Sequence, residues 1–262
     1  MAESSATTQA RFLQLLRRAL QGWRDKVDAD FSAASALREL NSLESDPVYS
    51  QFGLASNGYV LIRLMGRMSI SIGRRLGELY DNLPKFVAAA RFGLTPSDVA
   101  AKIAGLNLDV CIPFGLLSAE DRELAIASTE LATGATVPAD RRGLGIEIRY
   151  NFNPNDSARL RKDVAMAEGL IAENLVPIYL VFSGISPRAE AIARLKRAGW
   201  LFLVAHDAAD YTKALLGLDL SSLLSNADVQ DEVRAETSAL MSAIATSDAM
   251  RNALRDFPTD RA

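Results

Sequence analysis

Between Leu144 and Ala205 the chain alternates short apolar runs with amphipathic stretches, and no other feature limits its possible folds as strongly. Leu144 to Phe152, Val176 to Phe182 and Trp200 to Ala205 read as strands, with helical patterns from about Asp156 to Glu173 and from Ser186 to Gly199 between them. Apolar strands separated by helices are buried on both faces. The series therefore predicts an α/β fold in which a central mixed sheet, its later strands parallel, is flanked by helices.

The rest of the chain is read around that core. Ala10 to Val27 and Ala33 to Leu43 carry helical spacing, Ser45 to Asn57 reads as loop, and Val60 to Phe92 reads as a long helix interrupted near Gly66, Gly73 or Pro84. Thr95-Pro96-Ser97-Asp98 has the form of a helix start, predicting a short helix that stops at Gly105. With Phe92-Gly93-Leu94 before it the stretch is faintly like a helix-turn-helix, but plain packing is the favoured reading. Leu106 to Ile112 alternates as a strand, Ser118 to Ala132 is a capped helical insert, and further helices from Ala208 onward pack outside. These readings give a helical N-terminal extension at 1–56, a core at 57–216 and a C-terminal helical extension at 217–262, all expected in one structural domain.

Several function classes lose their support at once. Cys111 is the single cysteine and cannot form an internal disulfide, and the opening residues lack the basic and apolar parts of a secretory signal, so the expected compartment is the cytoplasm. No apolar stretch approaches the roughly 18 residues of a membrane helix, and no membrane role is expected. His206 is the only histidine, which leaves no zinc pattern and no Gly-x-Ser-x-Gly elbow to go with it. Neither a Gly-x-x-x-x-Gly-Lys loop nor a Gly-x-Gly-x-x-Gly turn is present.

Charge is distributed more tellingly than its net value of -3 suggests. From Val60 to Arg75 the chain carries Arg63, Arg67, Arg74 and Arg75 with no acid, whereas the region after His206 is dominated by Asp207, Asp210, Asp219, Asp228, Asp231, Glu232, Glu236 and Asp248. Such segregation fits a basic surface facing a polyanion, and it also fits ordinary solvated helix faces.

One constellation can carry chemistry. Glu78 lies on the long helix, Asp109 inside an apolar strand, and Glu147 and Arg149 two residues apart on the next strand, hence on one face of it. Carboxylates converging on a cleft suit Mg²⁺, which takes oxygen ligands and commonly uses one or two carboxylates plus phosphate oxygens. A cation beside them can stabilise charge developing on a phosphate. Plainer readings stand next to these. Glu147 and Arg149 can be the wet face of an edge strand, and Glu78 can pair with Arg74 one helical turn before it. Asp109 is harder to dismiss, because Leu106, Leu108, Val110 and Ile112 surround it and a buried carboxylate needs a cation, hydrogen bonds or metal.

The order helix Glu, strand Asp, strand Glu-x-cation, helix, strand resembles the PD-(D/E)xK nuclease superfamily over roughly residues 73–205. Gly73-Arg74-Arg75-Leu76-Gly77-Glu78-Leu79-Tyr80, Leu108-Asp109-Val110, Glu147-Ile148-Arg149-Tyr150-Asn151 and Val181-Phe182-Ser183 look more narrowly like type II restriction endonucleases of the ApaLI type. The resemblance implies a restriction-endonuclease-like core and a hydrolase that cuts double-stranded DNA at specific sites with Mg²⁺, leaving a 3′-hydroxyl and a 5′-phosphate. It implies Asp109 and Glu147 as metal ligands, with Arg149 and Glu78 completing the catalytic set. Arg63, Arg67, Arg74, Arg75, Lys85, Arg159, Arg161 and Lys162 become the candidate DNA contacts. A homodimer follows if the target is palindromic.

The departure from the pattern is Arg149, where lysine is expected. Arginine holds phosphate bidentately but stays charged, so it cannot act as a base. A DNA-binding protein of this fold with impaired cleavage is the alternative, and Lys162 is a weaker candidate for a displaced ammonium group. Asn151, Asn153, Asn155 and Asp156, together with Ser183, Ser186 and Arg188, are offered either as DNA or phosphate contacts or as helix caps.

Overall fold

A computed structural model describes residues 2–152, 157–184 and 189–256. In chain order it runs α1 (Ala2–Asp30), α2 (Ala33–Ser45), α3 (Pro47–Gln51), α4 (Asn57–Phe92), β1 (Ala101–Ile103), β2 (Leu106–Leu108), β3 (Val110–Pro113), α5 (Ala119–Thr133), β4 (Gly143–Arg149), α6 (Ser157–Ala172), β5 (Leu175–Val181), α7 (Ala189–Arg197), β6 (Leu201–Val204), α8 (His206–Leu216), α9 (Leu220–Ser225), α10 (Ala227–Ala245) and α11 (Asp248–Arg255). The chain divides into two compact units, residues 1–12 with 77–224 and residues 13–76 with 225–262, where the sequence suggested a core at 57–216 inside one domain. The division falls within α1 and α4, each of which gives residues to both units.

Residues 13–76 with 225–262 form a helical unit. Leu16, Leu20, Trp23, Val27, Leu43, Val60, Leu64, Leu240 and Ile244 are buried at helical spacing. Its buried acids are paired: Glu236 with Arg24, and Glu39 with both Arg63 and Arg67. The stretch from Ser45 to Asn57 contains α3 where a loop was expected, because the Asp46 side chain accepts from the amides of Val48 and Tyr49 and Pro47 suits the first turn.

The other unit contains a four-stranded sheet in the order β3-β4-β5-β6, with β3 antiparallel to β4 and the remaining pairs parallel. This is the mixed sheet flanked by helices that the alternation predicts. Val110, Ile112, Leu144, Ile146, Ile148, Ile178, Leu180 and Leu203 are buried on one face, with α5 and α8 packed on each other and against β6. Cys111, Tyr179, Val181 and Phe202 share the opposite core with Met166 and Leu170 of α6 and Leu195 of α7. Gly145 permits that approach, since a Cβ there would lie 2.3 Å from Leu170 Cδ2. Every residue of β4 except Arg149 at its end is buried, so the edge-strand reading of Glu147 does not hold.

Two further expectations fail. The helix expected up to Gly105 is a β-hairpin: Thr95 and Asp98 do exchange capping bonds, but the turn they start lasts only a few residues. Ala104 and Gly105 both have positive φ, 51° and 78°, which suits a two-residue hairpin loop and lets Ile103 and Leu108 enter the core beneath α6. The faint helix-turn-helix disappears with that helix. The second failure is the interruption of α4, which runs unbroken over 36 residues with Pro84 inside it. Leu64 and Met68 are buried on either side of Gly66, and Leu79, Leu83 and Val87 around Pro84, and packing there offsets a local cost of about 3 kcal/mol for the proline and about 1 for the glycine. Among the described residues no helix is long and apolar enough to cross a membrane.

Candidate active site

The apolar strand expected from Leu106 to Ile112 is broken at Asp109, and the break defines the site. β2 pairs with β1 and β3 pairs with β4, so Asp109 stands between two sheets, one step beyond the Val110–Ile146 pair. Its Oδ2 accepts from the Ile148 amide at 2.8 Å, and this side-chain bond anchors Asp109 to β4 where the β3 ladder has ended.

Glu147 and Arg149 are the last odd positions of β4 and point to the α6 side of the sheet, at the carboxyl ends of the parallel strands where open α/β sheets bind ligands. The Arg149 guanidinium lies back along its own strand. Its Nη1 donates to Ile148 O at 2.8 Å and to Asp109 Oδ2 at 3.3 Å, its Nη2 donates to Glu147 Oε1, and Asp163 Oδ1 of α6 is 3.7 Å from Nη2. Asp109 and Glu147 thus meet at one side chain. Tyr179, the register partner of Glu147 on β5, donates to Asp163 Oδ2 at 3.0 Å, while Trp200 Nε1 donates to the Asp163 carbonyl at 2.7 Å.

Burial makes this cluster electrostatically tense. Glu147 is 4% exposed and Asp163 5%. Burial first, and then the Asp109 charge, push the Glu147 carboxyl up from its ordinary range, against a smaller pull from Arg149. Asp163 is also pushed up by burial, while Arg149 and the Tyr179 hydroxyl hold it back. Burial opposes the Arg149 charge, yet the surrounding acids outweigh it and keep the guanidinium protonated. Glu147 Oε2 and Arg149 Nε are buried without hydrogen-bond partners.

The long helix contributes an acid, though not the expected one. Glu78 is exposed, whereas Asp81 is raised to about 6, chiefly by burial and next by the charge of Asp109, with Arg149, Lys85 and Arg159 lowering it. Lys85, one turn further on, places Nζ 3.9 Å from Asp109 Oδ1. Tyr80 packs at 4.7 Å on Phe182 and 5.6 Å on Tyr150, setting this part of α4 against the ends of β4 and β5. Because the Asp81 pKa is above the 3.8 of an ordinary aspartate, the folded state binds the proton more tightly, and its stability relative to the unfolded chain falls as pH rises from about 4 to about 6. Asp81→Asn is therefore expected to stabilise the protein at neutral pH by about 1–2 kcal/mol, after discounting for partial exposure. Urea denaturation should show the gain at about pH 7 and its fading toward about pH 4.

A cleft of about 320 Å³ opens beside these groups, lined among others by Asn107, Glu147, Arg149, Arg159, Lys162 and Asp163. Lys85, Arg159, Arg161 and Lys162 of the expected DNA contacts belong to the same unit as the acids. Arg63, Arg67, Arg74 and Arg75 belong to the helical unit, where Glu39 engages the first two and Arg75 packs on the backbone of Gly22. Asn153, Asn155, Asp156, Ser186 and Arg188 lie outside the described residues. Sequence reasoning missed Asp81, Asp163 and Tyr179.

Among the described residues no group of three or more His, Cys, Asp or Glu side chains is arranged to hold a metal ion. The two carboxylates gathered by Arg149, with the unpartnered Glu147 Oε2 and the neighbouring Ile148 carbonyl, are hard oxygen donors of the type that Mg²⁺ takes. Compared with models of protein families, with curated proteins and with solved structures, the chain matches none.

Proposed function

We propose that this protein is a magnesium-dependent, site-specific endonuclease of double-stranded DNA, a type II restriction enzyme of the PD-(D/E)xK kind. The observation that carries the reading is the meeting of Asp109, at the bend just before β3, and Glu147 of the adjacent strand β4 at one arginine at the carboxyl end of a parallel strand. The cations lining the adjoining cleft support it, because Arg159 and Lys162 suit a phosphate backbone.

Asp109 and Glu147 would hold Mg²⁺, which supplies a Lewis acid for the phosphoryl oxygen and a more acidic water. Asp109 is set in place by the Ile148 amide, and Glu147 by its position within a buried strand. Arg149 offers a planar pair of donors to the scissile phosphate and stabilises charge as it builds there. Lys85 brings an ammonium near Asp109 from outside the strand, and Asp81 next to it tunes the charge of the site. A palindromic target would be met by a homodimer.

Arg149 also favours a second reading, a protein of the same fold that binds DNA without cutting it, since a guanidinium that stays charged cannot serve as base. Incubation with plasmid and Mg²⁺ separates the two. Discrete fragments from the wild-type chain or from Arg149→Lys are the expected result. Retention of duplex with no cutting by either protein establishes the second reading, and neither binding nor cutting overturns both.

A further inference from the structure

We infer that the Arg149 guanidinium and the divalent ion are alternative occupants of one place, so that the site is closed to metal until a phosphate draws the arginine away. The inference deepens the nuclease reading and rests on it for the identity of that phosphate. Its basis is the set of atoms the guanidinium holds: a carboxylate oxygen of Asp109, a carboxylate oxygen of Glu147 and the Ile148 carbonyl oxygen, with Asp163 at 3.7 Å. These are the oxygens a hard cation would take. With the arginine in place one positive charge already lies among three acids, and a divalent ion entering would meet both that charge and a filled volume.

Arg149 has reason to stay when no ligand is present. It is only 17% exposed, and leaving without a new partner would strand buried carboxylates and remove its own hydrogen bonds. It also has a reason to leave when DNA arrives. The cleft that it lines is shared with Arg159 and Lys162, so a phosphodiester bound there presents acidic oxygens to which a guanidinium bonds bidentately. Moving outward gives Arg149 a new anion and frees the Asp109, Glu147 and Ile148 oxygens together. Metal and duplex then assist each other's binding, and linkage requires the assistance to be equal in both directions.

Manganese alone, in the absence of DNA, tests the competition. Free Mn²⁺ is followed by its electron paramagnetic resonance signal during titration of the wild type, Arg149→Gln, Arg149→Lys and the double variant Arg149→Gln/Glu147→Gln, with thermal melts of each. Arg149→Gln is expected to bind Mn²⁺ about tenfold or more tightly than the wild type, to gain more in melting temperature on adding it, and to lose both gains in the double variant. Arg149→Lys, whose single ammonium cannot span two carboxylates, is expected between wild type and Arg149→Gln; it keeps a charge among the acids and serves if the glutamine variant does not fold. Wild-type affinity equal to or tighter than that of the folded Arg149 variants overturns the inference, as does a gain that survives in the double variant. Absence of plasmid cutting bears on the nuclease reading alone, since no DNA enters this titration.

Discussion

Under the proposed nuclease function, replacing Asp109 by Asn, or Glu147 by Gln, is expected to slow magnesium-dependent DNA cutting by roughly a thousandfold or more while the fold is retained. Both changes keep shape and remove charge. In Asp109→Asn the amide side chain still presents an oxygen to the Ile148 N–H, the bond that Asp109 Oδ2 now accepts at 2.8 Å, so the bend between β2 and β3 has no cause to open. In Glu147→Gln an oxygen still faces Arg149, and because burial disfavours the Glu147 carboxylate, its neutral analogue costs the fold little. What each variant would lose on that proposal is a hard anionic ligand, and a roughly thousandfold loss corresponds to about 4 kcal/mol of transition-state stabilisation. Single-turnover rates on supercoiled plasmid, taken beside circular-dichroism melts and duplex binding, provide the check. Cutting by both variants within about tenfold of the wild type, with melts unchanged, would remove these acids from the chemistry.

The pH dependence of the same rate follows from the same geometry. On the proposed function Glu147 would have to be ionised to hold a cation, and burial pushes its carboxyl above the ordinary range, so the cutting rate is expected to rise with pH through a group shifted upward and to fall on acidification.

How much of this was legible beforehand depends on what each residue needs. The apolar runs from Leu144 to Ala205 identify buried parallel strands by local pattern alone, and β4, β5 and β6 follow them to within a few residues. Glu147 and Arg149 are legible as neighbours because a two-residue spacing puts them on one strand face, whereas Asp109, expected inside a strand, joins them from the bend between β2 and β3. The edge-strand alternative for Glu147 needed burial to decide it. Tyr179 sits inside an apolar run, and only the register that places it opposite Glu147 reveals its part. Asp163 did leave a sequence trace: it interrupts the stripe Leu160, Ala167 and Leu170 on α6, where a carboxylate facing the core asks for a partner. Asp81 and Glu78 are three residues apart on one helix, and which of them faces the strands depends on how α4 is rotated, set here by Tyr80 against Phe182 and Tyr150. The hairpin at Ala104-Gly105 was obscured by authentic capping signals at Thr95 and Asp98, whose reach is local, whereas burial of Ile103 and Leu108 decides the longer segment.

Trp200→Ala is expected to lower stability by about 3–5 kcal/mol, a large part of what a domain of this kind possesses. Trp200 is 2% exposed and meets Tyr179 edge-on, with ring centres 5.1 Å apart and planes at 89°. Tyr179 in turn stacks on Phe202 at 4.9 Å, and Phe152 meets both rings edge-on, so removing the indole opens a cavity under an aromatic cluster that α6 and α7 cannot readily close. A second loss is polar: the Asp163 carbonyl gives up the indole N–H that bonds it at 2.7 Å. Trp200→Phe isolates that part, since it keeps an aromatic edge toward Tyr179 and removes the donor, and should cost less, about 1–2 kcal/mol. The effect extends to the site through α6, because Asp163 is positioned at its main chain by Trp200 and at its side chain by Tyr179, and its carboxylate helps to hold Arg149. Urea midpoints at constant slope measure the two stabilities. A cost below about 1 kcal/mol for the alanine variant would mean that the aromatic cluster does not carry this side of the sheet, and that Asp163 is held by other means.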